Sequence, residues 1–199
     1  DGSLQTQKLL SENSEHYEDA AAQGIRRILG LAPGEVIPIE KIEAVKMGTT
    51  VATNALLERK GERTLLCITK GFGDALRIAY QNRPRLFDLN IIRPELLYEQ
   101  VVEINERMSA HGETVIELEV EETRKRLVTA FTNGFRSIAI VFMHGYRYPD
   151  HEKGVAQLAR EIGFTQVSTS FETSPLMKLV SRGDTTVVDA YLSPILRGY

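Results

Sequence analysis

Cysteine, tryptophan and long apolar runs are scarce or absent in this sequence. Among its 199 residues Cys67 is the single cysteine, which excludes an internal disulfide and a zinc site made of cysteines. No stretch approaches the ~20 consecutive apolar residues of a membrane-spanning helix, and we expect neither a signal peptide nor a membrane partner. The 24 basic and 27 acidic residues give a net charge of −3, so no basic excess favours nucleic acid. The sequence predicts a cytoplasmic protein.

Several common catalytic motifs are missing as well. The sequence has no GxxxxGK[ST] phosphate loop and no GxSxG nucleophile elbow. Gly71 and Gly73 lack the third glycine of the dinucleotide-binding GxGxxG pattern. Cys67 lies in the apolar run TLLCIT, which indicates an inert buried thiol. His144 follows an apolar run, and two interpretations stay open for it: a cleft residue at the end of a strand, or a hydrogen-bonded residue at the sheet edge.

Strand-like and helix-like apolar patterns alternate along the chain. The segments at 64–69 and 137–143 are continuously apolar, as parallel strands covered on both faces are. Further strands are predicted at 4–10, 42–47, 101–107 and 165–170, and helices at 15–29, 50–60, 119–133, 150–162 and 176–192, the last bent near Gly183. This alternation predicts an α/β fold with a mixed, largely parallel sheet and helices.

The segment MGTTVATNALLERK is the first candidate site. A predicted strand ends before Gly48, which permits a tight turn or a close backbone approach. Thr49, Thr50 and Thr53 place three hydroxyls around a predicted helix N-terminus, where free N–H groups favour an anion. Asn54 lies one turn into that helix, on the same side as Thr50. This arrangement is typical of a phosphate or carboxylate site, and the alternative is that a threonine is an ordinary N-cap.

Two other segments carry candidate anion ligands. Arg182 lies in SRGDTTVVDA, where it either binds an anion in its guanidinium fork or pairs with Asp184. Thr185 is either a second ligand contact or a cap of a new helix after the predicted bend. Arg83 precedes Pro84 in a stiff loop, where it either binds a carboxylate or phosphate or remains a solvated charge.

The segment MGTTVATNALLERKGERT is the first of several that resemble a known protein family. This segment and KGFGDALRIAYQNRPRLFDL resemble the amino-terminal domain of the hydantoinase A/5-oxoprolinase family. The stretches EINERM, IAIVFMHGYRYPDHE and SRGDTTVVDAYLSPILRGY continue the resemblance in the same order, so it extends from about residue 4 to Tyr199. Met47 before the Gly-Thr-Thr, together with Arg83 and the following Leu-Phe-Asp, is most similar to 5-oxoprolinase.

The resemblance implies an activity, a fold and partners. Members of the family hydrolyse a cyclic amide with ATP cleavage, and 5-oxoprolinase converts 5-oxo-L-proline, ATP and water to glutamate, ADP and phosphate. It would need Mg²⁺ and a monovalent cation such as K⁺. The A-type region resembles the actin/Hsp70/sugar-kinase ATPase fold, of which this chain would be a part. A hydantoinase B-type region or subunit would complete ring opening, and the full enzyme is expected to form a homo-oligomer.

The resemblance also implies which residues touch ligands. Carried over residue by residue, Gly48, Thr49, Thr50 and Asn54 would form the wall of the ligand cleft. Arg83 would hold the substrate carboxylate. The other two implied contacts are Arg182 and Thr185. This chain departs from the family at Asp189, where the family has Asn before Ala-Tyr-Leu.

The Gly-Gly-Thr-Phe-Thr-Asp hairpin of the family is not among these residues. In actin-like folds such a hairpin holds nucleotide phosphate. We therefore expect residues 1–199 to form an amino-terminal domain of a longer chain, one that does not close an ATP site alone. Two alternatives stay open: an N-methylhydantoinase or a subunit of an acetone or acetophenone carboxylase, and a non-catalytic docking or ligand-binding module.

Overall fold

The computed structural model describes residues 2–10, 15–17, 19–81, 87–90 and 95–197. The chain divides into two compact units, residues 1–48 and residues 49–199. The predicted fold class is confirmed in the second unit, which is an α/β structure with a parallel sheet.

The first unit contains one α-helix, α1 (Ala20–Leu29), and a 3-10 turn, Ile39–Lys41, in its described part. The helix begins where the Asp19 carboxylate accepts the N–H groups of Ala21 and Ala22 at 2.7 and 3.1 Å. It ends at Gly30, whose φ of 67° is the left-handed conformation that glycine favours at a C-cap. The predicted helix end at residue 29 is therefore confirmed, and the predicted start at residue 15 is wrong because Asp19 caps the helix instead.

The strands predicted at 4–10 and 42–47 are not formed. Both segments lack regular secondary structure, and most of their residues are exposed. A strand is stable only when a ladder pairs its backbone and a neighbour covers one face, and neither condition is met in the described residues. Apolar composition alone was therefore a misleading signal in this unit.

The second unit is built around four parallel strands. Its elements in chain order are α2 (Val51–Leu57), β1 (Thr64–Thr69), α3 (Ala75–Ile78), β2 (Tyr98–Ile104), β3 (Arg107–Met108), β4 (Thr114–Ile116), α4 (Val120–Thr132), β5 (Ser137–Val141), α5 (Asp150–Ile162), β6 (Gln166–Thr169), α6 (Ser170–Thr173) and α7 (Leu179–Arg197). The parallel sheet has the order β2-β1-β5-β6, and β3 and β4 form a separate antiparallel pair.

Helices cover both faces of this sheet. On one face α4 and α5 pack Leu127 and Val155 against the apolar side chains of β1 and β5. On the other face α3 and α7 contribute Leu76 and Val187. Because both faces are covered, every residue of β1 and β5 is buried, which confirms the prediction from the two continuously apolar runs.

The last helix does not bend at Gly183. Helix α7 runs unbroken over 19 residues, and Gly183 is buried inside it. A Cβ at this position would lie 2.8 Å from Cδ1 of Leu76, so the absence of a side chain lets α3 approach α7 closely. The prediction of an interruption is wrong because this glycine serves packing between helices.

Candidate functional site

The carboxyl ends of β1 and β5 mark the point where the strand order reverses. From β1 the chain moves to β2 on one side, and then crosses to β5 and β6 on the other side. In open parallel sheets ligands bind in the crevice at this point, because the loops leave in opposite directions. The site is therefore sought where β1 and β5 end.

A threonine, a glutamate and a histidine are hydrogen-bonded in series at this point. Thr69, the last residue of β1, accepts the Met143 N–H at 2.9 Å and donates its hydroxyl proton to Oε1 of Glu106. The other Glu106 oxygen lies 2.8 Å from Nδ1 of His151. Glu106 is 1 % exposed, whereas the His151 side chain retains 12 % exposure. The cluster therefore has a buried carboxylate and an imidazole that is partly exposed.

Three separate elements supply this Thr69–Glu106–His151 cluster. Thr69 ends the central strand, Glu106 lies in the link between β2 and β3, and His151 occupies the first turn of α5. A carboxylate bonded to Nδ1 fixes the tautomer and orientation of an imidazole, which leaves Nε2 as the proton acceptor. Such a pair is the arrangement that proteins use for general-base chemistry.

Glu152, the next residue of α5, forms a second and fully buried cluster. Its carboxylate accepts N–H groups from Phe142 at 2.8 Å, Ser170 at 2.9 Å and Phe171 at 3.2 Å. The Ser170 hydroxyl also donates to it, and Arg182 Nη1 lies 3.5 Å away. Glu152 therefore ties the carboxyl ends of β5 and β6 to α5.

Burial shifts the pKa of both Glu152 and Arg182. It raises the pKa of the Glu152 carboxyl, although the backbone N–H groups, the Ser170 hydroxyl and Arg182 oppose the shift. It lowers the pKa of the Arg182 guanidinium, and Glu152 opposes that shift. Arg182 also donates Nη2–H to the Phe142 carbonyl at 2.9 Å, while its Nε is buried without a partner.

The loop after β1 forms a third polar feature. The N–H groups of Gly71 and Gly73 both donate to Oε1 of Glu103 at 2.9 Å. A Cβ on Gly73 would lie 3.0 Å from that oxygen, so glycine permits this approach. A cavity of about 360 Å³ borders Lys70, Glu103 and Arg126. The loop amides in this structure therefore hold an internal carboxylate.

A cluster of potential metal ligands and a membrane-spanning helix are both absent from the part of the chain that the structure describes. Those residues contain no group of three or more His, Cys, Asp or Glu side chains placed to hold a metal ion. The described helices also include none with the length and apolarity to cross a bilayer.

The structure brings three predicted site residues together at the start of α2. Thr49 Oγ1 accepts the Val51 N–H at 3.2 Å, which is the local bond that the capping interpretation predicts. Thr50 is the N-cap, but its side chain makes no capping bond, and its carbonyl accepts the Asn54 N–H at 2.8 Å. The Asn54 side chain is exposed. Gly48 is the last residue of the first unit and has open space at its Cα.

The other predicted site residues lie elsewhere. Helix α2 packs on α7 around Tyr191, nine positions beyond Arg182, which is about 14 Å along the helix axis. Arg182 pairs with the buried Glu152, so the alternative pairing with Asp184 is wrong. Arg83 lies outside the described residues.

Two further positions of α7 bond within the protein. The exposed Thr185 donates its hydroxyl proton to the Ser181 carbonyl at 2.9 Å inside the helix, so it caps nothing. Asp189 accepts the Ser168 hydroxyl at 2.6 Å and the Ser193 hydroxyl at 2.9 Å. The Asp189 carboxylate therefore has hydroxyl partners inside the fold.

Sequence reasoning did not single out Glu106, His151 or Glu152 as site residues. Two signals were present: ionisable residues directly after a strand and in the first turn of a helix that follows a buried strand. His144 was considered, and its hydrogen-bonded interpretation is confirmed, since Nδ1 lies 2.8 Å from the Met108 carbonyl oxygen. The polar contacts between distant segments are what identify the cluster.

Comparison with known proteins identifies one family, by a family model and by individual relatives. A family described as the hydantoinase/oxoprolinase N-terminal region matches residues 1–163. A 5-oxoprolinase of Dictyostelium discoideum is 42 % identical over 97 % of this chain and 18 % of its own length. 5-Oxoprolinase 1 of Arabidopsis thaliana is 43 % identical over 96 % of this chain and 17 % of its own length.

A solved structure shares the fold. The ATP-dependent caprolactamase from Pseudomonas jessenii superposes with a TM-score of 0.75 at 26 % identity, covering 94 % of this chain and 28 % of that enzyme. The chain spans less than a fifth of the length of the two 5-oxoprolinases. It belongs to the hydantoinase/oxoprolinase family, as part of that family's amino-terminal region.

Proposed function

We propose that this chain is the amino-terminal part of an ATP-dependent cyclic amidohydrolase that acts as a 5-oxoprolinase. The whole enzyme would convert 5-oxo-L-proline, ATP and water to glutamate, ADP and phosphate. The observation that carries the proposal is the identity of 42 and 43 % to 5-oxoprolinases along almost the entire chain. Activation of the amide oxygen by phosphorylation would turn a poor electrophile into one with a good leaving group.

The cosubstrate, ions and partners belong to the same proposal. ATP would be used together with Mg²⁺ and a monovalent cation such as K⁺. Because Mg²⁺ is usually held by a few carboxylates and the substrate phosphates, it would arrive with the nucleotide. A hydantoinase B-type region or subunit would complete ring opening, within a cytoplasmic homo-oligomer.

The ligand contacts are proposed at two places. The Thr50 side chain makes no capping hydrogen bond at the start of α2, the Asn54 side chain is exposed, and Thr49 lies beside them. Arg83 is proposed as the ligand of the substrate carboxylate. Gly48, Arg182 and Thr185 stay predictions, and the described bonds of the last two side chains are made to protein groups.

A second substrate is favoured by one comparison. The solved structure that shares the fold is described as an ATP-dependent caprolactamase. A lactam or hydantoin other than 5-oxoproline is therefore the alternative within the same reaction class.

The proposal is tested by the substrate dependence of ADP release. The complete gene product that contains this chain, with its B-type region supplied, is offered 5-oxoproline, hydantoin, N-methylhydantoin and caprolactam in parallel. We expect ADP release coupled to glutamate with 5-oxoproline alone. Activity with another ring would replace the substrate, and inactivity with all four would contradict the proposed reaction.

The 199-residue chain alone serves as a further arm of that test. We expect it to release no ADP above a heat-killed control. Binding of labelled 5-oxoproline without turnover would indicate that this part holds substrate, as the ligand-binding alternative predicts. ADP release by the chain alone would show that the phosphate-binding elements lie within it.

A further inference from the structure

His151 combines a fixed tautomer with an open acceptor nitrogen. Its Nδ1 lies 2.8 Å from a Glu106 oxygen. An ionised carboxylate can only accept a hydrogen bond, so Nδ1 is the donor and carries the hydrogen. The Nε2 lone pair has no protein partner among the described residues. In that part of the chain the buried polar side-chain atoms without a partner are Tyr98 Oη, Arg107 Nη1 and Arg182 Nε. Since Nε2 of His151 is not one of them, this unpaired atom is not buried. A ligand can therefore reach Nε2.

Glu106 is buried and hydrogen-bonded through both carboxylate oxygens, unlike the carboxylate of a simple surface ion pair. It is 1 % exposed, and Thr69 donates a hydroxyl hydrogen bond to its second oxygen. Thr69 is itself fixed because it accepts the backbone N–H of Met143. Both carboxylate oxygens are thus occupied, and the imidazole plane is set by a chain of bonds that begins in the central strand. The cluster is pre-organised at the switch point of the sheet, where ligands bind.

We propose that Nε2 of His151 is the proton acceptor for the ring N–H of the cyclic amide, with Glu106 as its positioning residue. This inference rests on the proposed function. In the step, the amide N–H bond breaks and its proton moves to Nε2. The electron pair left on nitrogen forms the C=N bond, and the carbonyl π electrons move to oxygen. This oxygen attacks the γ-phosphorus of ATP while the bond between that phosphorus and the bridging oxygen breaks, so that ADP leaves. The imidazolium that forms is stabilised by the Glu106 carboxylate, as in other histidine–carboxylate pairs.

The test uses the complete gene product and steady-state ADP release with 5-oxoproline. His151→Gln removes the acceptor, and we expect kcat to fall by about 100-fold or more with KM for 5-oxoproline nearly unchanged. Glu106→Gln keeps the size of the side chain, but its amide N–H would donate to Nδ1 and force the proton onto Nε2. We expect a similar loss of kcat, because the wrong tautomer cannot accept the substrate proton. His111→Gln, at an exposed position, is the matched control and should retain full activity.

The possible results distinguish a failure of this inference from a failure of the proposed function. A His151→Gln or Glu106→Gln enzyme with kcat within threefold of the wild type overturns the proposal. A rise in KM with kcat preserved overturns it too, since that would indicate binding without proton transfer. If His151→Gln lowers the melting temperature, its loss of kcat could come from a damaged fold. The kcat of Glu106→Gln, which keeps the size of the side chain, then decides whether the proposal holds. A wild type inactive on every cyclic amide contradicts the proposed function and this inference together, whereas an active wild type with active variants contradicts this inference alone.

Discussion

Arg182 of α7 and Glu152 of α5 meet inside the protein, with Nη1 3.5 Å from Oε1 and both side chains wholly buried. The same guanidinium donates to the Phe142 carbonyl and to the Ser170 hydroxyl. This contact joins two helices to the carboxyl ends of β5 and β6. It holds the sheet edge beside the Thr69–Glu106–His151 cluster in a single arrangement.

Removing one partner of this pair should strongly destabilise the fold. Arg182→Ala leaves Glu152 buried without its counter-charge, and we expect a loss of about 3–5 kcal/mol in the free energy of unfolding. Urea unfolding of the 199-residue chain measures it. The double variant Arg182→Met with Glu152→Leu should lose less than the sum of the two single changes. Additive losses would show that the two side chains act independently.

Gly61 should not accept a side chain. A Cβ there would lie 1.9 Å from Cε1 of Tyr191, so Gly61→Ala must displace α2 or the buried tyrosine. We expect a loss of about 1–3 kcal/mol, typical of overpacking, measured by urea unfolding. Gly48→Ala, where no atom lies within 4 Å of the added Cβ, is the control and should be within about 0.5 kcal/mol of the wild type. Equal stability of the two variants would contradict the packing argument.

Cys67 should be unreactive in the folded protein. It lies within β1 at 0 % exposure, and burial raises the pKa of its thiol far above the ordinary range. We expect no labelling by iodoacetamide at neutral pH in buffer and complete labelling in urea, followed by mass spectrometry. Rapid labelling without denaturant would show that β1 opens readily.

The start of α2 provides a test of the proposed ligand wall. Thr49→Ala combined with Thr50→Ala should lower the 5-oxoproline-dependent activity of the complete gene product while its melting temperature changes little, because both side chains are exposed. The matched control is Thr129→Ala, an exposed threonine of α4. An unchanged rate in the double variant would leave both threonines with capping roles alone.

Arg83 is tested through the substrate it is proposed to hold. Arg83→Ala should raise KM for 5-oxoproline more than KM for ATP, because it removes binding that is equal in the ground state and the transition state. Steady-state kinetics with each substrate varied in turn measure both constants. Arg77→Ala, another arginine of the region after β1, is the comparison. An equal rise in both constants would indicate a structural role for Arg83.

The apolar patterns of short segments predicted the strands β1 and β5 and the helix α5. The continuous apolar runs identified β1 and β5 because a strand covered on both faces has no polar side to show. Helix α5 was predicted with its observed ends, Asp150 and Ile162, because one apolar face and a final glycine at position 163 specify it. The same reasoning failed at 4–10 and 42–47, where nothing in the described residues pairs with the segment.

The polar clusters depended on contacts that no local pattern encodes. Glu106 and His151 are 45 positions apart, and Glu152 and Arg182 are 30 apart. Their meeting follows from the strand order β2-β1-β5-β6, which places distant chain segments side by side at one edge of the sheet.

The amino-acid sequence determined the family, the α/β class and the buried strands, since each follows from local composition or from a long matching motif. The tertiary structure decided that Arg182 is a buried partner of Glu152, that Gly183 continues a helix, and that Glu106 orients His151. These are consequences of packing, because a buried charge must find its counter-charge and a glycine's role depends on what approaches it.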